Sequence, residues 1–416
     1  MKKFFLFVTL ILFSGSLLNA QPECLKSVVY TLVSLKQVPK ARKMMEEECF
    51  PGNESRPDVW LVRANIFIQL HEYEIERVKA TAPDPDAAPK SKKNQEPQYV
   101  IRYPDAIITA NECFYKALEL KPDIKAEPGL LDPKDGQLLS AYPISEMATK
   151  AMDNKDYEEA LKLLNLVIRS YKVDPKGYAL YLAYAYLDMA NCYKAMEDDA
   201  NYKKILLDVA KLNVALPDVY LNLYDIYKQD QDTVKCGEIL NQARKAIPDS
   251  LAIDVKGYEL DYFAMTGDTL KLKSAALKMF EQYKDNPAVI NIIAGHLVNN
   301  KEYLLAQEII ETGLSIAPDN FELNQQMTYR YYYEAVDYDK IKEDKLNEKP
   351  RKFTEAEAAL NKANEILGTA AIWAEKAYKI NQEDRYHNIM YRQILVRLQL
   401  PVSEELQEKV NSYYKQ

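Results

Sequence analysis

The stretch NPAVINIIAGHLVNNKEYLLAQEIIETGLSIAPD, residues 286–319, decides how the whole chain is read. Ile290, Ile293, Ala294 and Leu297 recur at the 3- and 4-residue intervals of one helix face. Asn299, Asn300 and Lys301 supply a turn. Tyr303, Ala306, Ile310 and Gly313 mark one face of a second helix, and Pro318 ends it. Small residues at Ala294, Ala306 and Gly313 let the two helices approach closely. The unit is an amphipathic helical hairpin.

Similar hairpins lie on both sides. Tyr220, Leu223, Tyr224 and Tyr227 open one, and Cys236, Leu240, Ala243 and Pro248 close it. Trp60, Ala64 and Phe67 open another, whose second helix carries Ala110, Phe114, Ala117 and Pro122. Weaker copies carry Ala148, Ala151, Tyr157, Ala160 and Leu164, then Tyr202, Val209, Leu212 and Pro217. Others carry Ala264, Ala276, Phe280 and Pro287, and finally Phe353, Ala356, Leu360 and Ala363.

These segments resemble the tetratricopeptide repeat. Its pattern is an aromatic, Leu, a small residue and Tyr, then Ala, an aromatic, Ala and Pro, over about 34 residues. The resemblance covers most of residues 57–366, and hairpins continue outward to about 24 and 415. The copies depart from the pattern at Leu164, in place of an aromatic, and at Cys236, in place of alanine. The resemblance implies an all-α, helical-hairpin solenoid forming a right-handed superhelix. Its stability would come from neighbour contacts, and the first helices would line a concave wall.

Composition agrees with helices. Eleven glycines are few for 416 residues, whereas doubly wound folds and barrels use more in their turns. Hydrophobic residues make up 48%, enough for a large core. The formal charge of −8 is interspersed with no basic patch, which disfavours nucleic acid and anionic lipid as partners.

The first residues read as a signal peptide, 1–20. Lys2 and Lys3 precede an apolar run from Phe4 to Phe13, and Ala20 before Gln21 fits a cleavage site. The run is shorter than the roughly 20 residues of a spanning helix. Glu23 before Cys24 is not the small residue that lipid attachment needs. The expectation is an exported bacterial protein whose mature part, 21–416, is one solenoid in the periplasm, with full secretion as the alternative. No membrane span is expected after cleavage. Cys24 falls at the start of the first mature helix and Cys49 at the end of the second, with the turn near Val38 and Pro39. An antiparallel hairpin brings those ends together, so the pair is a candidate disulfide; two buried free thiols are the alternative. Cys113 and Cys236 read as small core residues.

Three segments break the periodicity: 81–98, rich in Pro and Lys; 126–136; and the charged 338–352. They read as insertions looped out on one face.

Catalytic signatures are missing. The sequence holds no HExxH, GxSxG or P-loop. His71, His296 and His387 are the only histidines, and their separation argues against a metal site in a solenoid. Acids cluster at turns, as in Glu46-Glu47-Glu48. The expectation is a non-enzymatic scaffold with no cofactor, binding a partner protein or extended peptide. A glycan or small-ligand binder, or an enzyme on a helical solenoid, is the alternative.

By the resemblance, wall positions are Leu61, Asn65 and Ile68; Leu221, Asp225 and Lys228; and Asn291, Gly295 and Val298. Asn65, Asp225, Lys228 and Asn291 are the polar candidates for groove contact. Tyr331, Tyr332 and Tyr333 join them. Successive helical residues turn by about 100°, so these three cannot share one core face. At least one must meet a neighbouring hairpin, the insertion or solvent, where tyrosine is a good contact residue.

Overall fold

The most regular chemistry of this chain lies in its turns. The fold is that of a computed structural model, which describes residues 22–81 and 102–414. Among the described residues are eighteen α-helices and no strand. They divide into two compact units at Val214 and Ala215. The first holds α1 (Glu23–Val29), α2 (Val38–Met44), α3 (Pro57–Thr81), α4 (Ala106–Leu120), α5 (Pro133–Asp153), α6 (Tyr157–Tyr171), α7 (Ala179–Ala195) and α8 (Asp199–Lys211). The second holds α9 (Pro217–Gln229), α10 (Thr233–Ala246), α11 (Ile253–Met265), α12 (Thr269–Tyr283), α13 (Pro287–Asn299) and α14 (Tyr303–Ile316). It continues with α15 (Phe321–Asn347), α16 (Phe353–Ile380), α17 (Arg385–Arg397) and α18 (Glu404–Tyr413).

Inside five hairpins, from α5–α6 to α13–α14, the chain reverses through one left-handed residue followed by an acid. Lys155, Glu197, Gln231 and Lys301 take φ values of 61, 59, 58 and 63°, and Gly267 takes 71°. Left-handed geometry costs a non-glycine residue about 1 kcal/mol. Two sets of hydrogen bonds offset that cost. The next N–H reaches back five residues, as from Asp232 to Tyr227 O at 2.9 Å and from Glu302 to Leu297 O at 2.9 Å. The acid then caps the second helix. Asp156, Asp198, Asp232 and Asp268 accept from the N–H three residues on, at 3.2, 3.0, 3.0 and 3.1 Å. This recurring acid is a repeat signal that hydrophobic periodicity alone does not reveal.

Each unit stacks its hairpins in sequence. First helices pack on first helices, α1 on α3 on α5 in one unit and α9 on α11 on α13 on α15 in the other. Within each unit a second helix also packs on the next first helix, as α4 on α5 and α12 on α13. In residues 286–319 the expected faces are the buried ones: Ile290, Ile293, Ala294, Leu297, Ala306 and Ile310. Gly313 allows the close crossing, because a Cβ there would lie 2.7 Å from Leu323 Cδ1 and 3.1 Å from Ile290 Cγ2.

Two expected insertions need correction. Residues 338–347 are the last turns of α15, and only 348–352 links it to α16. Lys, Glu and Leu are good helix formers, so high charge does not mean loop here. Lys345 Nζ ties Glu348 at 2.8 Å to Glu355 at 3.1 Å across the link. The second irregular stretch ends earlier than expected, because Pro133 opens α5 as its first residue. The 81–98 segment lies, apart from Thr81, outside the described residues, as does the 1–20 signal peptide. No described helix is long and apolar enough to cross a membrane.

Candidate functional site

In the second unit, three consecutive first helices border a cavity of about 520 Å³ that is open to solvent. α9 contributes Asp218, Leu221, Asp225 and Lys228, at the 3- and 4-residue spacing of one helix face. α11 contributes Asp254, Gly257, Tyr258 and Asp261 at similar spacing, and α13 contributes Ile292 and His296. Gly257 keeps the middle of the wall low, since a Cβ there would touch Ile292 Cγ2 at 3.5 Å.

The wall is braced by a reciprocal exchange. Tyr224 on α9 donates its hydroxyl to Asp261 Oδ2 on α11 at 2.8 Å. Tyr258 on α11 donates to Asp225 Oδ2 on α9 at 2.9 Å. The two rings meet edge to face with centroids 5.1 Å apart. Lys228 Nζ adds a 2.7 Å contact to Asp261 Oδ2. Burial, then the hydrogen bond to Asp225, pushes the Tyr258 phenol up to about 12. Burial, then Asp261, raises Tyr224 as well. Both are therefore protonated donors at neutral pH. The device recurs where Tyr303 donates to Asp337 Oδ2 at 2.8 Å, while Lys301 Nζ contacts Oδ1 of the same carboxylate. These tyrosines set their rings in the packing and reach with their hydroxyls to the next hairpin, which gives a structural reason for some of the 31 in the chain.

Asp225 and Lys228 line the cavity as the sequence suggests. Asn291 does not. It is half-buried, its Oδ1 is enclosed without a hydrogen-bond partner, and Ile292 faces the cavity in its place. Asn65 is corrected outright, because it is fully buried. Its Nδ2 donates to Leu61 O at 3.0 Å and Leu131 O at 3.2 Å, and its Oδ1 accepts from Leu131 N at 2.7 Å. The connector before α5 lies over the face of α3 that a bare wall would expose, and Leu61 and Ile68 are buried with Asn65.

The tyrosines divide. Tyr331 packs against the cores on both sides of α15, with the Arg330 guanidinium 4.0 Å from its ring centre. Tyr332 packs against the α15–α16 core. Tyr333 is 39% exposed and is the one of the three open to contact. Cys24 and Cys49 are joined, with Cα atoms 5.5 Å apart, while Cys113, Cys192 and Cys236 are buried free thiols. Among the described residues, no three His, Cys, Asp or Glu side chains are grouped to hold a metal.

His387 is the most enclosed histidine of the second unit. Its Nε2 donates to Ala374 O at 2.9 Å, and Nδ1 is buried without a hydrogen-bond partner beside Phe321. Burial lowers its pKa, as it does for His71 and His296. A lowered folded pKa means that the unfolded chain binds more protons below about pH 6.5, so stability falls as pH falls through that value. Urea unfolding midpoints are expected to drop from about pH 7.5 to about pH 5.5. His387→Gln should flatten that slope, and an unchanged slope would assign it to other groups.

Stacked hairpins, small residues at the crossings and a wall of first helices define a tetratricopeptide-type, all-α repeat fold. No family model and no curated protein sequence matches the chain. Solved structures similar to it include yeast Tom70, at 11% identity over 94% of this chain and 87% of that one, with a TM-score of 0.37. The C-terminal part of a TPR repeat-containing protein from Cytophaga hutchinsonii is 20% identical over 64% of this chain and 98% of that one, with a TM-score of 0.32. YrrB, described as a TPR protein with an unusual peptide-binding site, is 15% identical over 51% and 96%, with a TM-score of 0.32.

Proposed function

We propose that this chain is a non-enzymatic scaffold of the bacterial envelope, which holds an extended segment of a partner protein against the inner wall of residues 215–416. The observation that carries this reading is the cavity shared by α9, α11 and α13. Its side chains are held in place by the Tyr–Asp exchange, so little rotamer entropy is lost when a segment docks. Export to the periplasm fits the expected signal peptide, and the Cys24–Cys49 bridge suits an oxidising compartment.

A photo-crosslinking residue at Asp254, on the inner wall, tests this in native envelope extract, with the same residue at exposed Glu281 on α12 as control. A discrete protein adduct from Asp254 alone is expected. Adducts only from Glu281, or none from either in a folded bait, would overturn the reading. Glycan binding has one feature in its favour. Tyr142 on α5 and Tyr181 and Tyr184 on α7 are 67, 58 and 50% exposed, and such rings stack on sugars. Retention on a glycan array, lost on Tyr142→Ala, would support it.

A further inference from the structure

The charge of the inner wall narrows what it takes. Four carboxylates, Asp218, Asp225, Asp254 and Asp261, line the cavity, and Lys228 is the ammonium facing them. Lys228 is engaged by Asp261, at 2.7 Å. His296 adds no charge at neutral pH, because burial lowers its pKa.

We infer that the cavity of α9, α11 and α13 selects a basic segment of the partner protein, one that sets an arginine or lysine side chain between Asp225 and Asp261. The inference rests on the scaffold reading above and gives its partner a chemistry. Charge complementarity is the argument. A carboxylate offers about four acceptor positions, and each tyrosine hydroxyl occupies one. Oxygens fixed by those hydroxyls can meet a guanidinium fork, which is weakly hydrated and gives up water readily. Leu221, Gly257 and Ile292 supply an apolar floor for its methylene stem. Walls on which four carboxylates outnumber the one ammonium also raise the local concentration of a cationic segment. An acidic segment would meet four like charges.

Fluorescence anisotropy on the full chain tests this with a labelled extended peptide of alternating Arg and Ser, and with its Glu–Ser counterpart. The Arg–Ser peptide is expected to bind, more weakly as salt rises, and the Glu–Ser peptide not at all. Asp225→Asn and Asp261→Asn keep an acceptor for each tyrosine. Each should weaken binding by about fivefold, the conversion of a partly screened ion pair of ~1 kcal/mol. Asp285→Asn, at an exposed site that does not line the cavity, should leave binding unchanged. Equal losses in all three variants would reduce the effect to non-specific attraction and overturn the inference, as would preference for the Glu–Ser peptide. The crosslink at Asp254 separates the two readings. If the envelope adduct forms there and excess Arg–Ser peptide does not displace it, the scaffold stands and the basic-segment inference falls. If no adduct forms at Asp254, the scaffold reading itself has failed.

Discussion

Replacing Cys24 and Cys49 together by alanine is expected to release residues 23–49 while leaving α5 and α6 folded. The bridge spans a sequence separation of 25. Closing a loop of that size lowers the entropy of the unfolded hairpin by about 3 kcal/mol at room temperature. The hairpin depends on it, because α1 and α2, even with the π-helical turns Tyr30–Ser34 and Met45–Cys49 that continue them, are short for helices that must hold in isolation. Its remaining attachments include a small apolar face, Leu25, Val28, Leu32, Val38, Ala41 and Met45, the stacking of Arg42 on Tyr103, and a clamp at its far end. There Glu46 holds Arg63 of α3 at 2.8 Å, and the guanidinium lies 4.4 Å from the centre of the Phe50 ring. In a stack stabilised by nearest neighbours, damage at one end passes inward only through such an interface. Amide hydrogen exchange reads this directly. Protection across 23–49 should fall by roughly a hundredfold, the equivalent of ~3 kcal/mol, while α5 and α6 keep theirs. Equal loss in both regions would show the hairpin to be part of one cooperative unit. No loss anywhere would show the bridge to be dispensable.

Much of this architecture is legible in the sequence, and the illegible parts share a cause. The faces of α13 and α14 follow from 3- and 4-residue spacing because each helix buries one stripe against a partner built the same way. Asn65 defeats that reading, because its polarity suggests exposure whereas its partner, Leu131, lies 66 residues away on a connector. Spacing puts Asp225 on the wall but does not reveal its tie to Tyr258, 33 residues on. Pairs one repeat apart leave no trace in the periodicity of a single helix. Successive first helices compared with one another do carry a signal, since Asp218 and Asp254 occupy matching places on α9 and α11, as do Asp225 and Asp261.

Gly136→Ala and Gly368→Ala should move stability in opposite directions, although both replace a helical glycine. Alanine gains about 1 kcal/mol over glycine in a helix interior. At Gly368, on α16, a Cβ would meet nothing within 4 Å, so that gain should be realised in full. At Gly136, on α5, a Cβ would lie 2.2–2.5 Å from three atoms of the Phe114 ring. The ring is fully buried on α4 and has little room to move. Beside it, Asn111 Nδ2 sits 2.7 Å from both Ser140 Oγ and Ser170 Oγ, which ties α4 to α5 and α6. Shifting α5 outward to admit a methyl would stretch these buried bonds, and an unmet buried donor costs about 1–3 kcal/mol. Overpacking adds a similar penalty. Gly136→Ala should therefore be net destabilising by about 2 kcal/mol in urea unfolding of the first unit. A double-mutant cycle identifies the cause. Phe114→Leu removes ring atoms and costs stability by itself, but Gly136→Ala should cost less in that background, with a coupling of about 1 kcal/mol or more. Additive effects would mean that the ring is not the obstacle and that backbone geometry at the start of α5 sets the requirement for glycine.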